Sequence, residues 1–546
     1  MAALFSWEME MVFDNERNRF GSASWASDQE IKHAGLLGNK GMQFGYLNQT
    51  PLMLETDAPR LTIAGAGAGK MRDVLSMAVA RAAADRNFIL DPRGEIAAVT
   101  MVNFAMAGAH AYCWNPTGLH GLPQHSMQPL DILKLDSPHF HADCKFILES
   151  LIPVIGTSNG KYFELRAREW GENFVKMLVE RDGQVSFPSL HRTINTIESH
   201  TAAWPEILET MFNSRMESVR RCAGEMLAKQ QDSPREFGGI VGELYAYLNF
   251  LDDPMLQRAL EKPRASLSAT CNPSQSATWF INVPIEYVSI WAPVLRTMFT
   301  VQMLYKSRNP ASPPINMIID EAGQLGSFDA LLRSFTFGRG AGIRAWALFQ
   351  DAGQVIRNFG PTGLQGFMGS AALRQFFGVR DYETAQLVSS MLGDETLEYD
   401  DTLRQSKARQ AKQQAAMSIL NGGDPFAAMQ NYRHAAFEET HRTKQQRSLG
   451  TPDEILALPE DRQICFLSGK SLGPILGHKR PYYTRPEFAG RFLPNPFHPP
   501  LDSVPIPRRW GSTRARVITE PVPRQFAGLP QYDAGLWSYI QGYRPR

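Results

Sequence analysis

Apolar positions along the chain follow two rhythms. Short, continuous apolar runs bounded by Gly, Pro or charge recur at Leu61–Ala64, Asn87–Asp91, from His110, and then at Ala277–Val283, Ile315–Ile319, Arg344–Phe349, Leu373–Val379 and Ile464–Leu467. Such runs suit strands buried on both faces of a parallel sheet. Three early runs and five late ones predict a sheet of about eight strands. Between the two groups, from His125 to Ala265, the spacing turns helical: Phe163, Ala167, Trp170, Phe174, Met177 and Leu178 share one face, as the buried side of a helix requires. Similar stretches run from Met216 to Lys229 and from Phe237 to Phe250. The pattern predicts an α/β sheet domain interrupted by an all-α domain.

The first strand leads into Gly65-Ala66-Gly67-Ala68-Gly69-Lys70 and then into a helix with Val74, Leu75, Ala78, Val79 and Ala82 on one face. This is a βαβ unit with a glycine-rich loop at a helix N-terminus, where backbone N–H groups and the helix dipole favour a phosphate. Two phosphate templates compete, beside a plain structural turn. A P-loop places Lys70 on the β and γ phosphates, but Ala64 stands at its first glycine and Met71 at its magnesium-binding hydroxyl. A dinucleotide loop wants glycine where Lys70 sits and an acidic residue about 20 positions on, a place that Asp91 roughly fills.

A second motif favours the P-loop. Ile315-Asn316-Met317-Ile318-Ile319-Asp320-Glu321 is an apolar strand ending in two carboxylates, the Walker B arrangement in which the first holds magnesium and the second orients or deprotonates water. Further on, Phe337-Gly338-Arg339-Gly340-Ala341-Gly342 precedes a strand that ends at Gln350. An amide at that point senses the γ-phosphate in RecA-like motors. Taken singly, Asp320 could cap a helix and Gln350 could be a surface amide.

These residues resemble the coupling proteins of bacterial type IV secretion and conjugation systems, which are hexameric, DNA-translocase-like ATPases. The resemblance covers most of the chain. It runs through Gly21–Glu30 and Gly35-Leu36-Leu37, Asp91-Pro92-Arg93-Gly94-Glu95, Trp114-Asn115-Pro116, Asp320-Glu321, Gly338-Arg339-Gly340 and Gln350. It continues in Asp381-Tyr382-Glu383-Thr384-Ala385, Met391-Leu392-Gly393 and Leu449–Glu454. The resemblance implies a RecA-like P-loop NTPase that uses ATP and Mg2+. Gly65, Gly67, Gly69, Lys70 and Met71 would lie on the phosphates, Asp320 on the metal and Glu321 on water, with Gln350 as sensor. Arg339 would be a finger reaching a neighbour's ATP, against the plainer role of pairing with a carboxylate or capping a helix. The implied partners are single- or double-stranded DNA, a relaxase or an effector protein, channel components and further copies of the chain in a homo-hexamer. A nucleotide-binding receptor or adaptor that does not hydrolyse is the alternative.

Members usually begin with transmembrane helices. Here Glu8, Glu10, Asp14, Glu16, Arg17 and Arg19 crowd the start, and a bilayer core excludes such charges. A cytoplasmic protein, peripheral at the inner membrane through partners, is the expectation. Composition adds little: of 546 residues 43 % are hydrophobic, and the net charge of +1 gives no overall footprint for nucleic acid. Five scattered cysteines lack a C-x-x-C spacing and fit a reducing compartment.

The expected organisation is an N-terminal extension (1–55) packed by Trp7, Phe13, Phe20 and Trp25, then a nucleotide-binding domain in two parts (56–124 and 266–490) around an inserted all-α domain (125–265). The stretch Asp401–Ser448 is rich in Gln, Lys and Arg and suggests a solvated, mobile insertion. A C-terminal tail (491–546), dense in Pro, aromatics and Arg, is expected to lack a core of its own and to wrap along the parent domain or bind a partner.

Overall fold

The computed structural model describes residues 18–156, 159–199, 202–399, 401–420, 424–440 and 443–546; Trp7, Phe13 and the charged residues from Glu8 to Arg17 lie outside them. The chain divides into two compact units. The larger comprises Asp28–Val379, Pro459–Ser471 and Leu476–Arg546, and the smaller comprises Met1–Ser27, Arg380–Leu458 and Leu472–Ile475.

In chain order the strands begin with β1 (Met42–Leu47), β2 (Thr50–Leu54), β3 (Arg60–Ala64), β4 (Arg86–Pro92), β5 (His110–Trp114) and β6 (Ala277–Val283). They continue with β7 (Ile315–Ile319), β8 (Ile343–Phe349), β9 (Leu373–Phe377), β10 (Asp394–Tyr399), β11 (Thr443–Ser448), β12 (Arg462–Leu467) and β13 (Ile475–His478). The last three are β14 (Ser503–Pro507), β15 (Ser512–Pro521) and β16 (Leu536–Ile540).

Eleven of these form one sheet in the order β2-β1-β13-β12-β9-β3-β8-β7-β4-β6-β5. All eight strands expected from the apolar runs are in it. From β9 to β5 neighbouring strands are parallel, while β12 joins β9 and β1 joins β13 antiparallel. The extension before residue 56 was expected to show little periodicity, yet β1 and β2 pair as a hairpin inside the sheet. Their alternation is hidden because both faces of β1 are covered, so nearly every position is buried. Phe20, expected to pack, is 38 % exposed.

Polar rungs fix the register inside this apolar sheet. Asn316 on β7 donates to Asn87 on β4 (2.9 Å), and Asn87 donates to Thr278 on β6 (2.8 Å). Trp346 donates to Thr62 (2.9 Å), whose hydroxyl donates to Gln375 (2.8 Å). A slip by one residue would strand these buried amides, at about 1–3 kcal/mol for each unpaired group.

Seven helices from Phe140–Leu151 to Pro254–Ala259 form the insertion among the described residues. Trp170, Phe174, Met177 and Leu178 are buried, so the aromatic stripe is core. Arg296, on the helix Ala292–Arg308, ties this layer to the sheet edge: it donates to Ser150 O (2.7 Å) and Leu151 O (3.3 Å) at the end of Phe140–Leu151, and to Leu325 O (2.7 Å) just after Glu321. Among the described residues no helix is long and apolar enough to cross a membrane.

In the smaller unit β10 and β11 form an antiparallel ribbon, and the helices Thr402–Leu420 and Pro425–Thr440 pack on each other. Two of the signature-like stretches are helix starts here. Asp381 accepts from Thr384 N (2.7 Å), and Thr451 with Glu454 forms a reciprocal capping box.

The C-terminal tail departs from expectation. Instead of an extended wrap without a core, β14, β15 and β16 form a three-stranded antiparallel sheet. Phe526, Leu529, Tyr532, Trp537 and Tyr539 cluster against Ala105, while Val504, Ile506 and Ile540 pack with Met77, Val99 and Tyr482. The segment thus brings eight aromatic or branched anchors of its own to the helices beneath it.

Candidate nucleotide site

Strand order decides which groups meet. Because β8 lies between β3 and β7, the loop after β3, Gln350 after β8 and the carboxylate pair after β7 emerge side by side at the carboxyl edge of the sheet. Such an edge is where open α/β sheets bind ligands.

The loop is shaped by glycine. Gly67 and Gly69 hold φ of 71° and 83°, a left-handed region that is costly for residues with a Cβ. At Gly69 a Cβ would also stand 2.3 Å from Asp73 Oδ2. The helix after it begins with a π turn, Lys70–Leu75, in which Ser76 N–H reaches back to Met71 O. Such wide turns concentrate at functional sites.

Lys70, Glu321 and Gln350 interlock. Lys70 Nζ lies 2.7 Å from Glu321 Oε1, with both side chains largely buried, and Gln350 Nε2 donates to Glu321 Oε2 at 2.8 Å. Glu321 itself has φ 55° and ψ 41°, a strained conformation for a residue of this kind, of the sort that collects at active sites. Its N–H donates to Asp320 Oδ1 (3.0 Å). Burial pushes the Asp320 carboxyl up to about 6, with Lys70 pulling it down and Glu321 adding to the rise. Gln350 is oriented in turn, since its N–H donates to Gln354 Oε1 (3.0 Å) and Gln354 N–H donates to Asp351 (2.6 Å).

Asp91 does something different from what a ribose contact requires. It is buried and accepts from Ile96 N (3.2 Å) and Ala97 N (2.8 Å), capping the helix Glu95–Met106. Burial pushes it up to about 8, opposed by those two hydrogen bonds. With Asp91 committed to a cap, the dinucleotide reading loses its acidic residue.

Two expected site residues do not join the Lys70–Glu321–Gln350 cluster. Met71 packs its side chain against the apolar clusters beneath the helix, its sulfur accepting from Ser76 Oγ (3.2 Å). Arg339 is exposed on the turn Gly338–Ala341 before β8 begins. A seven-residue strand separates it from Gln350, about 23 Å at a strand's rise. Within one chain it does not join Lys70 and Glu321.

Lys479 escaped the sequence analysis. Fully buried after β13, it donates to Ala68 O (2.6 Å) in the glycine loop, stands 3.6 Å from Asp73 Oδ2 and lies 4.3 Å above the Phe377 ring. Burial pulls its pKa down while Asp73 supports the charge. Asp73 also accepts from Nε and Nη2 of Arg72 at 2.6 and 2.9 Å. The loop is therefore braced from behind by a cation–carboxylate pair. No motif surrounds Lys479, and an isolated lysine gives no signal of its own.

Glycine loop, buried lysine, paired carboxylates and a strand-end amide, in this strand order, define a RecA-like P-loop nucleotide-binding fold. The family model described as "Type IV secretory system Conjugative DNA transfer" matches residues 24–420, and the chain belongs to that family. It is 25 % identical over 229 residues to the type IV secretion system-coupling protein VirD4 of Bartonella henselae, spanning 40 % of this chain and only 31 % of that relative. To a conjugal transfer protein TraG of Escherichia coli it is 22 % identical over 558 residues, covering 89 % of this chain and 79 % of the relative. The conjugative coupling protein TrwB shares the fold. A sulphate complex of it gives a TM-score of 0.58 at 16 % identity, covering 84 % of this chain and 93 % of TrwB, and TrwB has also been solved with ADP and Mg2+ (TM-score 0.57, 15 % identity).

Proposed function

We propose that this chain is an ATP-driven coupling protein that recruits DNA or protein substrate and delivers it to a type IV secretion or conjugation channel. The observation that carries the reading is the Lys70–Glu321–Gln350 cluster beside Asp320 at the carboxyl edge of the sheet. These residues fit a magnesium nucleotide: left-handed Gly67 and Gly69 and the first turn after Lys70 form a concave N–H surface for phosphates, and Asp320 is the hard oxygen donor beside it. Bound magnesium would neutralise charge on the β and γ phosphates. Lys70 exchanges Glu321 for phosphate. Glu321, released from the ammonium, accepts a proton from water, and Gln350 keeps the carboxylate oriented.

Arg339 acts from a neighbouring subunit in this reading, which needs a ring, taken here as a hexamer. Mixing Arg339→Ala and Lys70→Ala chains, each inactive alone, restores part of the activity; subunit exchange without recovery removes Arg339 from the site. DNA, a relaxase or an effector, and the channel components are the partners, and the chain works in the cytoplasm or against the inner membrane through them.

One observation favours a second reading, a nucleotide-binding receptor that does not turn over: Met71 gives its side chain to the core and offers no hydroxyl to a metal. Steady-state phosphate release with and without single-stranded DNA separates the two. Release stimulated by DNA supports the motor; tight ATP binding without release supports the receptor.

A further inference from the structure

The β14–β15 hairpin lies beyond the residues matched by the family model, which ends at 420. It carries Arg508, Arg509, Arg514 and Arg516 and not one carboxylate between Ser503 and Thr519, in a chain whose net charge is only +1. All four arginines are exposed. Their partners in the fold are hydroxyls, Thr513 for Arg508 (3.1 Å) and Ser503 for Arg514 (3.3 Å), and among the described residues none of the four forms an ion pair. Between the two turn arginines and the strand stands Trp510, 87 % exposed.

This tip is held firmly. Arg508 N–H donates to Gly511 O (3.0 Å), Gly511 takes a φ of 74°, and the strands pair from Ser503↔Arg516 to Pro507↔Ser512. Val504 and Ile506 are buried against Tyr482, Phe488 and Phe492, in a cluster shared with Met77 of the helix behind the glycine loop. An indole kept in water on a rigid turn loses little further freedom on meeting a ligand.

We propose that the β14–β15 hairpin is a contact for single-stranded nucleic acid, with the arginines on phosphates and Trp510 stacked on an unpaired base. Aromatic platforms flanked by guanidinium groups bind single strands with little sequence preference. Arg514 and Arg516, two positions apart on one strand, share its outward face about 6.7 Å apart along the strand, so both meet one backbone. Strand addition by a protein partner at the hairpin fits less well: β14 is its outer strand, with β16 the opposite edge of the sheet, and Pro505 and Pro507 remove N–H donors from it. An anionic membrane fits less well too, because interfacial anchoring grows with buried apolar area and Trp510 is the only large apolar side chain exposed on the hairpin.

The assignment rests on the coupling reading for its choice of DNA as cargo, and its test is independent of ATP. Anisotropy of a labelled oligothymidylate and of a duplex of equal length is measured with the full chain over a salt series. Trp510→Ala weakens the single strand roughly 5- to 150-fold, Trp510→Phe restores most of the loss, and duplex binding and ATP binding stay at parent values. Arg514→Ala with Arg516→Ala lowers the slope of log K against log salt by about 1.4, at 0.7 per phosphate contact. Unchanged oligonucleotide affinity and slope in the Trp510→Ala, Arg514→Ala, Arg516→Ala triple variant overturns the proposal. So does loss of sedimentation with phosphatidylserine vesicles in that variant while oligonucleotide binding persists. A chain that never binds ATP sinks the motor reading and leaves the hairpin result standing.

Discussion

At the carboxyl edge of the sheet Lys70 is held by Glu321 and Lys479 stands beside Asp73, whereas Arg508, Arg509, Arg514 and Arg516 on the hairpin meet water and hydroxyls. Both surfaces are basic, but they ask different things of a phosphate. A paired, mostly buried cation binds by exchanging one anion for another, so only a ligand that compensates the displaced carboxylate is accepted. A solvated cation binds any phosphate and loses affinity as salt rises. The first arrangement discriminates and the second collects.

The comparison breaks most severely at Lys70. Lys70→Ala lowers hydrolysis by about 10²–10³, the usual effect of removing one donor to developing charge, and leaves oligonucleotide binding at the hairpin intact; phosphate release and anisotropy on the same preparation check both. Parent-level hydrolysis would mean that the paired cation is not the phosphate ligand.

Glu321→Gln sharpens the exchange argument. Turnover falls about 10²–10³ with loss of the base, yet a fluorescent ATP analogue binds more tightly, because Lys70 no longer answers a carboxylate. Weaker binding would show that the pair is not a competitor.

Lys479→Met removes the brace while keeping the volume. Losing a buried charged donor to Ala68 O costs about 1–3 kcal/mol in urea unfolding, and nucleotide affinity drops with no change in oligonucleotide affinity. A stability loss with unchanged ATP binding would confine Lys479 to holding the fold.

The smallest effect concerns how the tail is fastened. His125 accepts from Cys113 N (2.9 Å) at Nδ1, and its Nε2 donates to Pro530 O (3.0 Å), so the neutral ring satisfies both. Burial pulls its pKa below the ordinary value, with the Pro530 and Asp533 oxygens pulling the other way. The folded pKa being depressed, its contribution is full above about pH 6.5 and is lost as pH falls through the folded value. Unfolding midpoints from pH 8 to pH 5 decline less in His125→Asn than in the parent; equal declines would clear His125 of the role.

The paired edge was legible because its parts recur at strand ends: an apolar run followed by glycines and Lys70, another followed by Asp320 and Glu321, a third by Gln350. The hairpin was legible only as composition. Its alternation is broken by Pro505 and Pro507, and its inward residues Val504 and Ile506 are too few to stand out. Likewise β1 and β2 gave no period because burial on both faces erases alternation. Lys479 stayed invisible since its meaning comes entirely from Ala68 and Asp73, some four hundred residues away in sequence. Met71 was read by position, but the direction of its side chain depends on Ser76 and the core beneath.

Arg296 gives the helical layer a mechanical character. One guanidinium, 4 % exposed, grips the last carbonyls of Phe140–Leu151 with two nitrogens and Leu325 O with a third. A displacement of the Glu321 turn either carries that helix with it or abandons a charged donor in the interior. The helix is therefore geared to the carboxylate turn, like a crank whose pin is a single side chain.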